Sequence, residues 1–265
     1  MFTHSNIAHV LLGASLLVCL GTPADATVIY TGSGTVGGNT ATASAMFDIT
    51  GNTLTITLEN TSPAGVVQNS PTDTLSGLFF TLTGDPVLTP LSATIASGSS
   101  IIQAASCNPG PCSGVTNVDG EWGYQHSSNE RIGSAGYITT GLTGDIGNFN
   151  SGAAGTNLDN PDSLSGINFG LVTKNGFNPN GGLTNVPLIE DTVTLTLTGV
   201  SGLTTKDISN VFFRYGTSLS EASIPGSCTP PCGGGGTFIR EPATLALMGV
   251  ALVGVGLVAG RRRRP

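Results

Sequence analysis

Residues 41–58 read ATASAMFDITGNTLTITL, and their apolar side chains fall at every second position. The odd-numbered residues from Ala41 to Ile49 share one face of an extended strand, and the even-numbered residues from Leu54 to Leu58 share one face of a second. Thr50-Gly51-Asn52 lies between the two runs and predicts the turn of a β-hairpin. The pattern therefore predicts antiparallel strands with an apolar face toward a core and a threonine-lined face toward solvent.

The same alternation recurs along the chain. It is clear at residues 78–82, 193–197 and 211–215, and weaker at 28–30, 91–95, 122–125 and 167–172. Lys, Arg and Glu, which favour long helices, are scarce between the two ends of the chain. We expect an all-β fold, an antiparallel β-sandwich of jelly-roll-like form. Long loops are expected at 141–165 and 173–187, which are rich in Gly, Asn, Asp, Ser and Pro.

The N-terminus has the organisation of a signal peptide. A short apolar run from Val10 to Leu20 is followed by Ala24-Asp25-Ala26, a small-x-small cleavage pattern. An 11-residue run is too short to span a bilayer, so the alternative of an N-terminal membrane anchor is disfavoured. We expect residues 1–26 to be removed on export.

The last 26 residues consist of three parts. Arg240-Glu241-Pro242 comes first, and an uncharged, largely apolar run follows from Ala243 to Gly260. A helix over 243–260 would be about 27 Å long, enough to cross a hydrocarbon core. A basic cluster precedes the final Pro265; it consists of Arg261, Arg262, Arg263 and Arg264. Because arginines after a span stay in the cytoplasm, the rest of the chain is expected outside the inner membrane.

This tail resembles the PEP-CTERM sorting signal of exosortase-dependent proteins in Gram-negative bacteria. The resemblance is carried by Glu241-Pro242-Ala243-Thr244-Leu245-Ala246-Leu247, the helix through Gly260 and the arginine cluster. Arg240 departs from the family, which usually has proline there. The resemblance implies transient anchoring in the inner membrane, processing by an exosortase, and delivery to the cell surface or an exopolysaccharide matrix. An ordinary single-pass anchor is the alternative, but it would not need Glu-Pro before the helix.

The part between the two ends is acidic. Residues 27–239 carry four basic and fourteen acidic side chains, a formal net charge of −10. Nucleic acid is therefore not an expected partner, since phosphate binding requires clustered Lys and Arg. We expect one domain at 27–221, then a Gly-, Pro- and Cys-rich linker at 222–239, and the sorting signal at 240–265.

Four cysteines remain once Cys19 leaves with the signal peptide. They form two close pairs, Cys107 with Cys112 and Cys228 with Cys232. An even number in an exported chain predicts disulfides, and proline-bearing turns favour the two local bridges over the other connectivities. A zinc site made of all four thiolates is the alternative that the spacing leaves open.

The segment from Val118 to His126 concentrates the residues that could carry chemistry. His126 is the one histidine between residues 27 and 239, and a serine-hydrolase arrangement could pair it with a nearby acid, namely Asp119, Glu121 or Glu130. No serine lies in a G-x-S-x-G motif. We expect instead a strand that buries Trp122 and Tyr124 and exposes its polar residues. The alternative is a glycan contact on Trp122 and Tyr124, with hydrolysis by the neighbouring carboxylates a further alternative.

No cofactor is expected from the sequence. Asp145 to Asn150 and Asn157 to Asp162 supply oxygen ligands, but they lack the EF-hand spacing. Solvated turns are the simpler interpretation, and a Ca²⁺ site on sandwich loops is the alternative. The sequence thus predicts an exported, exosortase-processed surface or matrix protein with a structural or adhesive role and no enzymatic activity. A carbohydrate-binding module is the first alternative and a secreted hydrolase the second.

Overall fold

The computed structural model describes residues 27–228 apart from 64–65, 67, 108–109, 127–135, 141–146, 149–166, 174–175, 179–180, 218–220 and 222. The predicted signal peptide, the sorting tail and most of the predicted linker lie outside the described residues. So does the predicted membrane helix at 243–260. Within the described part, no helix is both long enough and apolar enough to span a membrane.

The described residues form strands and short 3-10 turns. The strands are β1 (Val28–Val36), β2 (Asn39–Thr50), β3 (Thr53–Asn60), β4 (Leu75–Leu82), β5 (Thr89–Ile95), β6 (Ser100–Ile102), β7 (Trp122–Gln125), β8 (Gly136–Thr140), β9 (Gly147–Asn148), β10 (Leu171–Val172), β11 (Leu188–Glu190), β12 (Thr192–Thr198), β13 (Ile208–Tyr215), β14 (Ser223–Pro225) and β15 (Ser227–Cys228). The 3-10 turns are Pro71–Asp73, Ala104–Ser106, Gly181–Leu183 and Thr205–Asp207.

The first sheet is antiparallel, in the order β15-β1-β2-β3-β12-β5. The predicted hairpin is confirmed, with Thr50 opposite Thr53 across the Gly51-Asn52 turn. Gly51 has a φ of +62°, which a residue without Cβ adopts at little cost. This observed strand order differs from the jelly-roll-like connectivity that the sequence predicts. Two-residue turns after β1 and β2 keep β1, β2 and β3 as neighbours in one sheet, whereas a jelly roll needs longer connections that cross between sheets.

The second sheet is mixed and has the order β6-β11-β10-β4-β8-β7-β9, with β13 also on β4 and β14 on β13. The parallel pair is β10 with β11. Strand β4 lies at the centre, and every residue from Leu75 to Phe80 is buried. The sequence predicts one buried face for β4, whereas Phe79 on the opposite face is buried as well.

The two sheets pack face to face over one core. Phe47 of the first sheet meets Phe80 of the second edge to face, with ring centroids 5.7 Å apart. Hydrogen bonds also cross between the sheets: the Tyr30 hydroxyl donates to the carbonyl oxygen of Ile208 over 2.7 Å, and the Tyr215 hydroxyl to that of Thr42 over 3.1 Å. Buried tyrosines thus keep their polar ends satisfied while their rings fill the core.

The predicted linker starts too early in the chain. Residues 223–228 belong to the two sheets, because β14 pairs with β13 and β15 pairs with β1. Ile224 is buried and packs over β1 at Gly32 and Gly34. A Cβ at Gly32 would lie 2.6 Å from a ring carbon of Phe213, so glycine provides the space for this contact.

Two other expectations need correction. The predicted loop at 141–165 contains the short strand β9, which pairs with β7. The predicted strand at 167–172 is reduced to β10, because residues 167–169 form a turn in which Phe169 has a φ of +59°.

Candidate functional site

Strand β7 places Trp122 and Tyr124 in the core. Trp122 is fully buried, and Tyr124 is 6% exposed. The prediction that this strand buries both aromatic residues is confirmed. A sugar stacks on an exposed aromatic face, and neither side chain offers one. A glycan contact on Trp122 and Tyr124 would require the strand to expose them, and in the structure both are buried.

The acidic residues beside Trp122 are also buried, against the expectation that they face solvent. Asp119 and Glu121 are 4% and 3% exposed. A carboxylate oxygen of Asp119 accepts the backbone N–H of Ala93, a residue of β5. The neighbouring backbone pairs with β5 as well, since the N–H of Val118 donates to the carbonyl of Ala93 over 2.9 Å. Asp119 thus covers an otherwise open strand edge, which is a structural role.

His126 contacts a carboxylate that the sequence analysis did not consider. Its Nε2 lies 3.2 Å from Oδ1 of Asp85 and 3.2 Å from the Asp85 carbonyl oxygen. Neither Asp119 nor Glu121 is its partner in the structure, and Glu130 lies outside the described residues. Asp85 follows a glycine in a turn and has a φ of +49°. The Gly-Asp pair, which is typical of turns, is the one sequence signal that could have drawn attention to Asp85.

Tyr124 lies next to the same pair. Burial raises the pKa of its phenol to about 12, with a smaller contribution from the negative charge of Asp85, while a hydrogen bond with the backbone of Leu88 opposes the shift. A phenol with this pKa stays protonated at neutral pH. The ring of Tyr124 therefore packs in the core with its phenol in the neutral form.

The first cysteine pair forms the predicted local disulfide. Cys107 and Cys112 are bonded, with Cα atoms 5.8 Å apart, and both are buried. Cys228 is also disulfide-bonded, but its predicted partner Cys232 lies outside the described residues. With Cys107 and Cys112 joined, the four thiolates of the zinc alternative are not available together.

The acidic loops proposed for Ca²⁺ fall largely outside the described residues. Of Asp145 to Asn150 only the backbone at 147–148 is described, and Asn157 to Asp162 is not. In the described part of the chain, no group of three or more His, Cys, Asp or Glu side chains could hold a metal ion.

A buried cation is the polar feature that sequence reasoning missed. Arg214 is 1% exposed, and its Nη1 donates to the carbonyl oxygen of Tyr215 over 2.6 Å. Its Nη2 lies 3.9 Å from Oε2 of Glu221, which also accepts the backbone N–H of Thr217. Buried charges require such partners, so the pair ties Thr217 and Glu221 to the end of β13.

The two ends of the folded domain emerge side by side. Strand β15 runs antiparallel to β1, with Cys228 opposite Tyr30 and Ser227 opposite Thr31. The chain therefore enters the first sheet and leaves it at one edge. No family model, curated protein or solved structure matches this chain, so the arguments on function rest on its own residues.

Proposed function

We propose that the protein is exported, is held briefly in the inner membrane by its C-terminal helix, and is then processed by an exosortase. It is delivered to the cell surface or to an exopolysaccharide matrix. There the acidic β-domain has a structural or adhesive role, without enzymatic activity. The observation that carries the proposal is the order of Glu241-Pro242, the apolar run at 243–260 and the four arginines that follow it.

The fold supports this proposal through the position of its ends. Because β15 lies beside β1, the export signal and the membrane anchor attach to the same edge of the domain. Cleavage on either side leaves the paired strands untouched. A domain tethered in this way keeps the rest of its surface clear of the membrane.

The disulfides support export as well. The Cys107–Cys112 bond, together with the bonded Cys228, suits an oxidising compartment. The residues that a sugar-binding or hydrolytic role would need are otherwise engaged. Trp122 and Tyr124 fill the core, and Asp119 covers the edge of β5.

Intact mass of the protein recovered from the cell surface tests the proposal, in strains with and without the exosortase. We expect the segment after the Glu241-Pro242 region to be lost only when the enzyme is present. A variant with Glu241→Ala and Pro242→Ala should stay unprocessed, whereas Thr237→Ala, just before the signal, should be processed normally. An unprocessed chain retained in the inner membrane of both strains would mean a plain anchor.

A further inference from the structure

The outer face of the first sheet carries a regular array of hydroxyl groups. Strands β3, β12 and β5 lie side by side, and their outward residues pair across the strands. A register shift in the β12–β5 pairing places Ser92 and Thr89 three positions apart along β5. They form three rows of three, which we call the hydroxyl grid: Thr57-Thr194-Thr94, Thr55-Thr196-Ser92 and Thr53-Thr198-Thr89. Eight of the nine side chains are threonine.

The hydroxyl groups of the grid have no hydrogen-bond partner within the described part of the protein. Among the described residues, none of the nine makes a side-chain hydrogen bond to another protein group. Eight of them are β-branched and hold a narrow range of rotamers on a strand. As far as the described residues show, the grid is thus a rigid set of hydroxyl and methyl groups that can form hydrogen bonds with a surface outside the protein.

The chemistry of the grid excludes most ligands. It contains no charged and no aromatic side chain, in a domain with a net charge of −10. A single sugar chain would find no aromatic ring to stack on, and hydroxyl-to-hydroxyl bonds exchanged with water contribute little net free energy. A second copy of the chain would bury only about 300 Å² on three such strands, against about 800 Å² per partner in stable interfaces.

An ordered water lattice fits the spacing. Neighbouring strands lie about 4.8 Å apart, and outward residues along a strand about 6.7 Å apart. In a tetrahedral network of water molecules with O···O distances of about 2.75 Å, next-nearest oxygen atoms lie about 4.5 Å apart. The layers of this network repeat at an interval of about 7.3 Å. Both spacings agree within about a tenth, except along β5 between Ser92 and Thr89, where the register shift interrupts the repeat. Many weak bonds made at once by a preorganised face avoid the ordering cost that a flexible face would incur.

We propose that the hydroxyl grid binds the surface of ice. The inference does not depend on the sorting signal, because it concerns only the outer face of the folded domain. The two proposals are therefore tested and can fail separately.

Incorporation into slowly growing ice, with freezing-point hysteresis as a second readout, tests the proposal on the processed protein. We expect the protein to be enriched in the ice fraction, and Thr55→Lys and Thr196→Lys to be excluded from it like a non-binding protein. Thr35→Lys, which adds the same charge on the same face of β1 but outside the grid, should leave incorporation unchanged. Circular dichroism of each variant verifies that it is folded.

Two further measurements keep the outcome decisive. If a lysine variant fails to fold, Thr55→Val and Thr196→Val keep the methyl groups and strand preference, and should still lower incorporation by removing hydroxyls. Exclusion of the unmodified protein from ice would overturn the proposal. So would equal losses in Thr35→Lys and Thr55→Lys, or grid-dependent retention on an insoluble neutral polysaccharide without any affinity for ice.

Discussion

Trp122 has the largest volume of the fully buried side chains in the described residues. Truncation to alanine should leave a cavity between β7 and its surroundings, and we expect Trp122→Ala to lower the free energy of unfolding by about 3–5 kcal/mol. Urea unfolding followed by circular dichroism measures this, since the variant lacks the sole tryptophan. Leu91→Ala, at a side chain that is 47% exposed, is the control and should change stability by about 0.5 kcal/mol or less. Equal, small effects of both substitutions would contradict the buried position.

The raised pKa of Tyr124 predicts that the folded protein loses stability at alkaline pH. Its pKa in the folded protein, about 12, lies above the ordinary value of 10.0, so folding favours the protonated phenol. The resulting stabilisation is complete below about pH 10 and is lost as the pH rises toward about 12. Burial raises the pKa of Tyr30 and Tyr215 in the same direction. We expect urea midpoints to fall over this range, and to fall less steeply in Tyr124→Phe. An unchanged slope in that variant would assign the effect to the other tyrosines.

The sequence could predict some residues of the candidate site and not others. Alternation along β7 is a local signal, and it correctly predicts that Trp122 and Tyr124 are buried in the core. The burial of Asp119 depends on the backbone of Ala93, 26 residues away, and no local pattern reports such a contact. The Asp85–His126 pair likewise joins two turns 41 residues apart. The sequence therefore predicts that the charged residues beside Trp122 are exposed, whereas the fold buries them and uses Asp119 at the edge of β5.

At the scale of elements, strand length decided what alternation could predict. Strands β2, β3, β12 and β13 have seven to twelve residues, long enough for a period of two to be read. Strands β9 and β15 have two residues each and carry no periodic signal. Composition also gave a wrong prediction at the linker, because the prolines and small residues around Ile224 are typical of a flexible segment. Pro225 instead lies on the short edge strand β14, where its missing N–H is tolerated.

Strand β14 can be tested as part of the domain. Ile224 is 4% exposed and packs against β1, so Ile224→Ala should lower the free energy of unfolding by about 2–5 kcal/mol. Ile29→Ala is a matched control, because Ile29 is 41% exposed on the outer face of β1 and should matter little. Chemical unfolding of both variants beside the unmodified protein decides the matter. A residue in a free linker would give two equally small effects.

At the scale of the whole molecule, the fold separates three regions with different roles. The two sheets enclose one core, the edge formed by β1 and β15 receives both ends of the chain, and the outer face of the first sheet carries the hydroxyl grid. Because the grid lies on β3, β12 and β5, two strands or more from β1, a tether at the β1–β15 edge leaves it accessible. The proposed tether and the proposed binding face thus lie on different parts of one domain.

The Cys107–Cys112 disulfide links the stability of this domain to its compartment. The two cysteines are five positions apart in sequence, so the bond closes a short loop of six residues. Closing a loop of that size lowers the conformational entropy of the unfolded chain, which stabilises the folded state by about 2 kcal/mol. We expect Cys107→Ser with Cys112→Ser to lower the free energy of unfolding by about that amount under oxidising conditions. Urea unfolding with and without reductant measures it, and mass spectrometry of the alkylated protein reports which cysteines are bonded.

Reductant provides the control for this prediction. It should destabilise the unmodified protein by more than the double variant, because the variant retains only the disulfide of Cys228. Equal losses in the two proteins would mean that Cys228 carries the redox dependence and that the six-residue loop contributes nothing. If the Cys107–Cys112 bond contributes as expected, a chain held in a reducing cytoplasm is less stable than the exported one. Full stability is then reached only after export, on the side of the membrane where the domain is proposed to act.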